Sequence, residues 1–395
     1  CIRDRDQADA SYAAALEAAE RAGTPDLAAR IIHNRSILAK NRGDWELAHE
    51  YLNRASLEYQ RAGREVMPGQ LWSGYANLAM EQGHLSEADE YLEKALAAFR
   101  AAGDRRNEAM MLNNTGYLRR MQGRWDEAEH YHLRSLGMRE ELRDRVGVGR
   151  IHSMLVSIYS RRGDYDAAMS SAGAAVDIAR ETRDRLFEGT SLVQLAGIEQ
   201  TMGHTELART HYTEAREVLN SMQDAMRVLQ VDLRLARLDM QEGALDAART
   251  TTEAVLQAAR HGNFIQPEID AQILLGDLAL EENRRQSAAE QYQQALLRVR
   301  ETGFANRETY VLVRLVNIYL DQDKTGDAAP LAGALSQLEP TVSSLQTQAR
   351  YAWLINDAEL ATRRMSEAKE LAGKEWDEED EGQFQQYQAG NNPNN

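Results

Sequence analysis

Residues 103–142 read GDRRNEAMMLNNTGYLRRMQGRWDEAEHYHLRSLGMREEL, and this forty-residue stretch returns with variations along the 395-residue chain. Two polar turns separate two helical patterns within it. Asp104 follows Gly103 as a helix N-cap, its carboxylate placed to accept from free backbone N–H groups of the first turn. Met110, Met111, Gly116, Tyr117 and Leu118 then recur at the three-to-four spacing of an amphipathic helix. Gly123 stops that helix, because glycine enters the left-handed C′ conformation without a Cβ clash. A second helix opens at Trp125 and runs through Ala128, Tyr131, Ser135, Leu136 and Met138. Two helices alone cannot bury all these apolar faces, so the hairpin must stack on its neighbours.

The turn glycine recurs at Gly43, Gly83, Gly123, Gly163, Gly203 and Gly243, forty apart, with Asn283 and Asp323 continuing the column. Five residues later stand Ala48, Ala88, Ala128, Ala168, Ala208, Ala248, Ala288 and Ala328. Alanine suits a site where two helices approach closely. Seven residues before the turn come Ser36, Ala76, Gly116, Val156, Ala196, Ala236, Gly276 and Val316, the close-contact seam of the first helix. The other turn has its own column at Gly23, Gly63, Gly103 and Gly303, with Arg143, Arg183 and Gln223 in the same register. Asp104, Asp144, Asp184 and Asp224 cap the helices that start after this turn, and Thr24-Pro25 is a helix start with proline at N1.

Six prolines, 6% aromatics and scarce β-branched runs argue for an all-α chain in one continuous array. At the start, Ala8, Tyr12, Ala15 and Leu16 align with Ala48 and the positions after it, so residues 1–22 read as a half repeat holding a second helix only. With Cys1 in place of an initiator Met, the sequence is expected to be a piece of a longer protein with a domain upstream. An acylated lipoprotein cysteine is the minor reading of Cys1. Residues 23–340 form eight tandem hairpins, the last with a second helix shortened by Pro330 and Pro340. From Asp323 to Asn356 the period falls to thirty-three, with Ala361 as the small residue, and residues 341–373 make the final hairpin. Residues 374–395 are expected to give a short capping helix around Trp376 and an acidic, polar tail, with Asp377 to Glu381 solvated.

An alanine five residues after a turn glycine, a small residue seven before it and an aromatic or leucine two after it (Trp45, Leu85, Trp125, Tyr165, Leu245) resemble the tetratricopeptide repeat, over nearly the whole chain. The forty-residue period is similar to the long-helix branch of that superfamily, as in LGN/Pins adaptors, kinesin light chains and the sensor modules of MalT and Rap regulators. The resemblance implies a right-handed α-α superhelix (solenoid) of about nine helical hairpins plus the N-terminal half repeat. Its first helices would line a concave groove that binds an extended or helical peptide, and it implies binding rather than catalysis.

In that geometry the groove positions lie thirteen, ten, nine, six and two residues before each turn glycine. They select Arg30, His33, Asn34, Ile37 and Asn41, then Gln70, Ser73, Asn77 and Glu81, then Asn113, Asn114, Tyr117 and Met121. Farther on they select Arg150, Ser153, Ser157 and Arg161, then Arg234, Arg237, Arg314 and Asn317. Asparagine offers a donor and an acceptor together, so a ladder of them can hold a peptide backbone, while arginine adds bidentate capture of carboxylates. Family members that clamp a C-terminal carboxylate place cations where this chain has Ser73 and Met154, so that clamp is incomplete. Asn77, Asn114 and Arg150 lead the candidates.

A net charge of −16 and no lysine cluster argue against nucleic acid and against anionic membranes. Arginines in a groove of an acidic protein would select acidic peptide segments. Metal and catalytic signatures fail on spacing. His49-Glu50 is followed by Asn53 where a second zinc-binding histidine belongs, Gly147–Gly149 follows no strand, and one cysteine makes no thiolate cluster. His130 and His132 sit two apart on a helix, point to different faces, and are expected to be partly exposed. No cofactor is expected, and no apolar run reaches the roughly eighteen residues of a membrane span. A cytoplasmic setting is the default, and 41 arginines against 5 lysines favour a bacterial source. The sequence therefore reads as a protein-interaction scaffold or sensor module, binding an acidic peptide within a larger regulatory protein. A small-molecule sensor of MalT type and a self-assembly module are the alternatives.

Overall fold

Left-handed residues punctuate this chain, and helices run between them. The computed structural model describes residues 2–65, 67–304, 307–373 and 376–389, with side chains described from residue 9 onward. Cys1 and the polar end 390–395 lie outside the described residues. Gly123 has φ +73° and Gly43 +77°, the conformation that lets a helix reverse into the next. The column persists where glycine is absent: Arg143, Arg183, Gln223, Asn283, Asp323 and Asn356 hold φ between +53° and +63°. Position in the repeat, rather than residue type, decides the backbone there.

The chain divides into two compact units, Cys1–Gly203 and His204–Asn395. The first holds α1 (Ile2–Arg21), α2 (Pro25–Asn41), α3 (Trp45–Arg61), α4 (Gly69–Glu81), α5 (Leu85–Ala101), α6 (Arg105–Met121), α7 (Trp125–Glu141), α8 (Arg145–Arg161), α9 (Tyr165–Thr182) and α10 (Arg185–Thr201). The second holds α11 (Thr205–Ser221), α12 (Ala225–Gln241), α13 (Leu245–Gly262), α14 (Ile265–Glu281), α15 (Arg285–Thr302), α16 (Glu308–Leu320), α17 (Thr325–Leu335), α18 (Val342–Leu354), α19 (Ala358–Ala372) and α20 (Glu378–Gln388). The fold is all-α, and each unit is a solenoid of helical hairpins.

Caps set the helix starts. Asp104, Asp144, Asp184 and Asp224 each accept from the backbone N–H three residues on, and Asp44 and Asp164 do the same at the other turn. Thr24 precedes Pro25 at N1, but its hydroxyl donates back to the Ala19 carbonyl at 3.0 Å instead of capping. Pro330 is carried inside α17 rather than ending it, and that helix stops at Leu335 after 11 residues where α3 has 17.

Packing follows the small-residue columns. Ala48, Ala88, Ala128, Ala168, Ala208, Ala248, Ala288 and Ala328 are all buried. Within hairpins the two seams trade volume. Gly116 lies against the His132 ring and Gly276 against the Tyr292 ring, each partner sixteen residues on. Ala76 shares a core with Leu92, and Val316 with Ala332, so a larger residue on one helix meets a smaller one on the other. First helices of successive hairpins also pack, α2 on α4 and α8 on α10 in the first unit, α12 on α14 and α16 on α18 in the second. Their remaining faces carry the candidate binding positions.

Ion pairs cross the inter-hairpin turns at one fixed step of eight residues: Arg100–Glu108, Arg180–Glu188, Arg260–Glu268 and Arg300–Glu308, at 2.7 to 3.4 Å. In each pair the arginine is 44–51% exposed and the glutamate 6–18%, so a largely buried carboxylate is met by a solvated cation, which limits the Coulombic gain. The acidic run near the end opens a helix, with Asp377, Glu378 and Glu379 exposed as expected and Asp380 and Glu381 half-buried. Asp377 caps α20 by accepting from Asp380 N, and Glu381 takes Lys369 Nζ at 2.6 Å and Trp376 Nε1 at 2.9 Å. A helix N-terminus favours carboxylates in its first turn, which composition alone does not reveal. The helix starts at Glu378, past Trp376, and its Tyr387 ring meets Trp353 at 5.0 Å.

Candidate functional site

On the first unit, residues thirteen, nine and six before the turn point outward. Arg30, Asn34 and Ile37 are exposed on α2, and Met110 and Tyr117 on α6, joined by Met121 two residues before the turn. Asn114 of α6 and Asn77 of α4 are half-buried neighbours, with Asn114 Nδ2 to Asn77 Oδ1 at 3.5 Å. Arg150 is exposed on α8. The structure thus brings two amides of the ladder together, with a tyrosine and two methionines on the same helix as Asn114.

Residues ten before the turn are directed inward. Ser73 and Ser153 are buried, and Ser153 Oγ donates to Gln194 Oε1 at 2.6 Å. His33 is half-buried beside Gly74, and burial lowers its pKa. Asn113 Oδ1 lies 3.1 Å from His132 Nδ1. An amide oxygen can only accept, so Nδ1 carries the proton of a neutral ring. His132 itself is fully buried, contrary to the partial exposure expected for it, because Gly116 on the facing helix leaves room for a ring. Its Nε2 has no hydrogen-bond partner among the described residues, and burial followed by the Arg120 charge pushes its pKa down to about 4.

Two further candidates are engaged locally. Ser157 Oγ donates to the Met154 carbonyl of its own helix at 2.8 Å. The Arg161 guanidinium stacks 4.7 Å over the Trp125 ring at the hairpin turn. Arg120 covers Tyr117 in the same way at 4.9 Å.

On the second unit, Arg234 and Arg237 lie one turn apart on α12, and Arg314 lies on α16. Between α12 and α16 in chain order sits Asp277 of α14, which the sequence reading missed. Its Oδ1 accepts from the Tyr292 hydroxyl at 2.5 Å and from the Tyr310 hydroxyl at 2.9 Å. Arg237 and Arg314 each approach the same carboxylate at 3.9 Å, and Arg314 Nε and Nη2 donate to the Tyr310 hydroxyl. Burial, then the Asp277 charge, raises the pKa of both tyrosines, so they remain donors. Burial opposes the Arg314 charge, but Tyr310 and Asp277 outweigh it and hold the guanidinium above its ordinary value. Asn317, by contrast, is occupied at both ends of its amide, donating to Thr347 Oγ1 at 3.0 Å and accepting from Arg350 at 3.1 Å.

A signal for this cluster was present. Asp277 stands six residues before the turn residue Asn283, the register of Asn77 and Arg237, and Tyr292 follows Gly276 by the sixteen residues that separate Gly116 from His132. Among the described residues no three His, Cys, Asp or Glu side chains are grouped to hold a metal, and no helix is long and apolar enough to cross a membrane.

Residues 69–141 and 147–221 match the family model described as Tetratricopeptide repeat. A search of curated proteins found no match. Among solved structures, the chain is similar to a signal transduction ATPase with numerous domains carrying a tetratricopeptide repeat sensor, from Pyrococcus horikoshii. That likeness has 15% identity and TM-score 0.58 over 70% of this chain and 43% of that one. It is also similar to the apo form of the quorum sensor NprR from B. thuringiensis, at 13% identity and TM-score 0.54 over 87% of this chain and 98% of that one. A Rap protein complexed with competence and sporulation factor gives 13% identity and TM-score 0.54 over 88% and 98% of the two chains. At such identities the likeness concerns the fold. Residues 69–141 and 147–221 match the tetratricopeptide repeat directly, and the same turn and alanine columns continue on either side of them.

Proposed function

We propose that the open first-helix faces bind protein segments, acidic ones among them, and that the chain is the recognition or sensor part of a regulatory protein. The observation that carries this reading is the Asn77–Asn114 amide pair at 3.5 Å, on the unit whose α8 exposes Arg150. Paired amides suit a peptide backbone, and an exposed guanidinium suits a carboxylate. Tyr117 and Met121, both exposed on α6, add an adaptable apolar anchor. The Pyrococcus horikoshii neighbour is described as carrying a repeat sensor and the Rap protein was solved with a bound factor, which supports a ligand-binding role here. Pull-down and peptide-array binding should be compared for the wild-type chain and an Asn77→Ala/Asn114→Ala/Arg150→Ala variant. Loss of partner recovery is expected, and equal recovery from both sinks the assignment.

A small-molecule reading draws on one feature of the second unit. Where α17 is short, a cavity of about 530 Å³ opens among α15, α16 and α17, lined by Leu296, Leu297, Leu315, Tyr319, Pro330 and Leu331. That volume suits a metabolite. A ligand that binds only the folded chain raises its melting temperature, so thermal-shift screening separates the two readings.

A further inference from the structure

We infer that Asp277 makes the arginine site of the second unit selective for a carboxylate over a phosphate group. The inference rests on the acidic-segment reading and assigns a selecting residue within it. Two guanidiniums, Arg237 and Arg314, face one carboxylate, so the cluster carries one net positive charge. Both arginines stand at 3.9 Å, outside hydrogen-bond range of that carboxylate. Their side chains are 35% and 45% exposed, enough for solvent or ligand to reach them. Arg314 uses Nε and Nη2 on Tyr310 and keeps Nη1, while Arg237 Nη1 stands 3.9 Å from Asp277 Oδ2.

Asp277 cannot swing aside to make room. Its Oδ1 is fixed by two tyrosine hydroxyls, at 2.5 and 2.9 Å, and the residue is nearly buried. An anion held by Arg237 and Arg314 therefore sits beside a fixed negative charge. A glutamate or aspartate side chain brings one negative charge and neutralises the cluster. A phosphoserine brings about −1.5 to −2 at neutral pH and leaves an excess that Asp277 repels. Repulsion at this range in a partly buried site is strong enough to separate the two ligands by about tenfold.

The experiment uses the full chain and two fluorescein-labelled probes, a tetraglutamate peptide and its tetraphosphoserine counterpart, read by fluorescence anisotropy. The wild-type chain should bind tetraglutamate more tightly. Asp277→Asn, which keeps an oxygen for both tyrosines, should shift the ratio of affinities toward the phosphorylated probe by about tenfold. Arg237→Gln, on the exposed side of the cluster, should weaken both probes and move the ratio further toward glutamate. It therefore tests the charge argument even if Asp277→Asn fails to fold. Equal effects of Asp277→Asn on both probes, or a wild-type preference for the phosphorylated one, overturn the selection by Asp277 while leaving acidic-segment binding in place. Binding of neither probe to the wild-type chain overturns both.

Discussion

Gly116 and His132 fit one another so closely that a Cβ on the glycine would lie 2.9 Å from Cε1 of the ring and 3.0 Å from both ring nitrogens. Alanine at 116 gains about 1 kcal/mol of helix propensity, but the overlap with a fully buried ring costs about 1–3 kcal/mol. Gly116→Ala is therefore expected to lower stability in urea denaturation. The preceding hairpin already holds the compensated pair, Ala76 with Leu92, in one buried core. Gly116→Ala/His132→Leu should recover stability relative to Gly116→Ala, and a double variant that is less stable than the single one overturns this account of the seam.

The same histidine makes stability depend on pH. His132 is held neutral in the folded chain with its pKa pushed down to about 4, against 6.5 for an ordinary histidine, so between those values only the unfolded chain takes up the proton. Stability falls as pH drops through that window, by about 3 kcal/mol in all for this group. Burial lowers the pKa values of His33 and His152 as well, and they act in the same direction. His132→Leu should flatten the decline in urea midpoint between about pH 7 and about pH 5 without altering the midpoint's trend above pH 7. An unchanged slope would show that the proton is taken up elsewhere.

Gln223 has φ +59° in a turn where the equivalent Gly63 and Gly103 have +76° and +65°. Holding a side chain with a Cβ in that conformation costs about 1 kcal/mol or more. Gln223→Gly is therefore expected to stabilise the chain by about 0.5–1 kcal/mol, part of the strain relief being offset by the freer unfolded state of glycine. A melting temperature that falls on this substitution would mean that the glutamine side chain stabilises the turn by contacts stronger than the strain.

What could be read from the sequence was whatever repeats. The turn column at Gly43 to Asp323, the caps at Asp104 and Asp224 and the buried alanines from Ala48 to Ala328 are local or periodic, and all appear at their expected places. What could not be read depends on pairs that break the period. Asn113 shares its helix with Asn114, but one bonds His132 within its hairpin and the other reaches Asn77 of the hairpin before, because a one-residue step on a helix turns a side chain by about 100°. Asp277 escaped notice because one aspartate among 62 acidic residues is inconspicuous until two tyrosines from different helices converge on it. Position in the repeat says which way a residue points; the neighbouring repeat decides what it meets.

Arg119 carries the last test, since it is a buried cation that the repeat does not call for: its counterparts forty residues to either side are Ala79 and Tyr159. It is 7% exposed, bonds both oxygens of Asp89 at 2.8 Å, and lies 3.4 Å from Glu127. Glu127 is half-buried, its side chain 44% exposed, and it is already bonded by Arg124, so Asp89 is the partner that neutralises the buried charge. Removing one partner of a buried pair costs more than the pair contributes, because the remaining charge is left without water or counter-ion. Asp89→Ala is expected to lower stability by about 2–4 kcal/mol, and Glu127→Ala by less than about 1 kcal/mol. Arg119→Met, which removes the charge itself and leaves Asp89 partly solvated, should fall between them. Urea denaturation of the three variants in parallel decides the matter, and a Glu127→Ala loss as large as that of Asp89→Ala would move the counter-charge of Arg119 from α5 to α7.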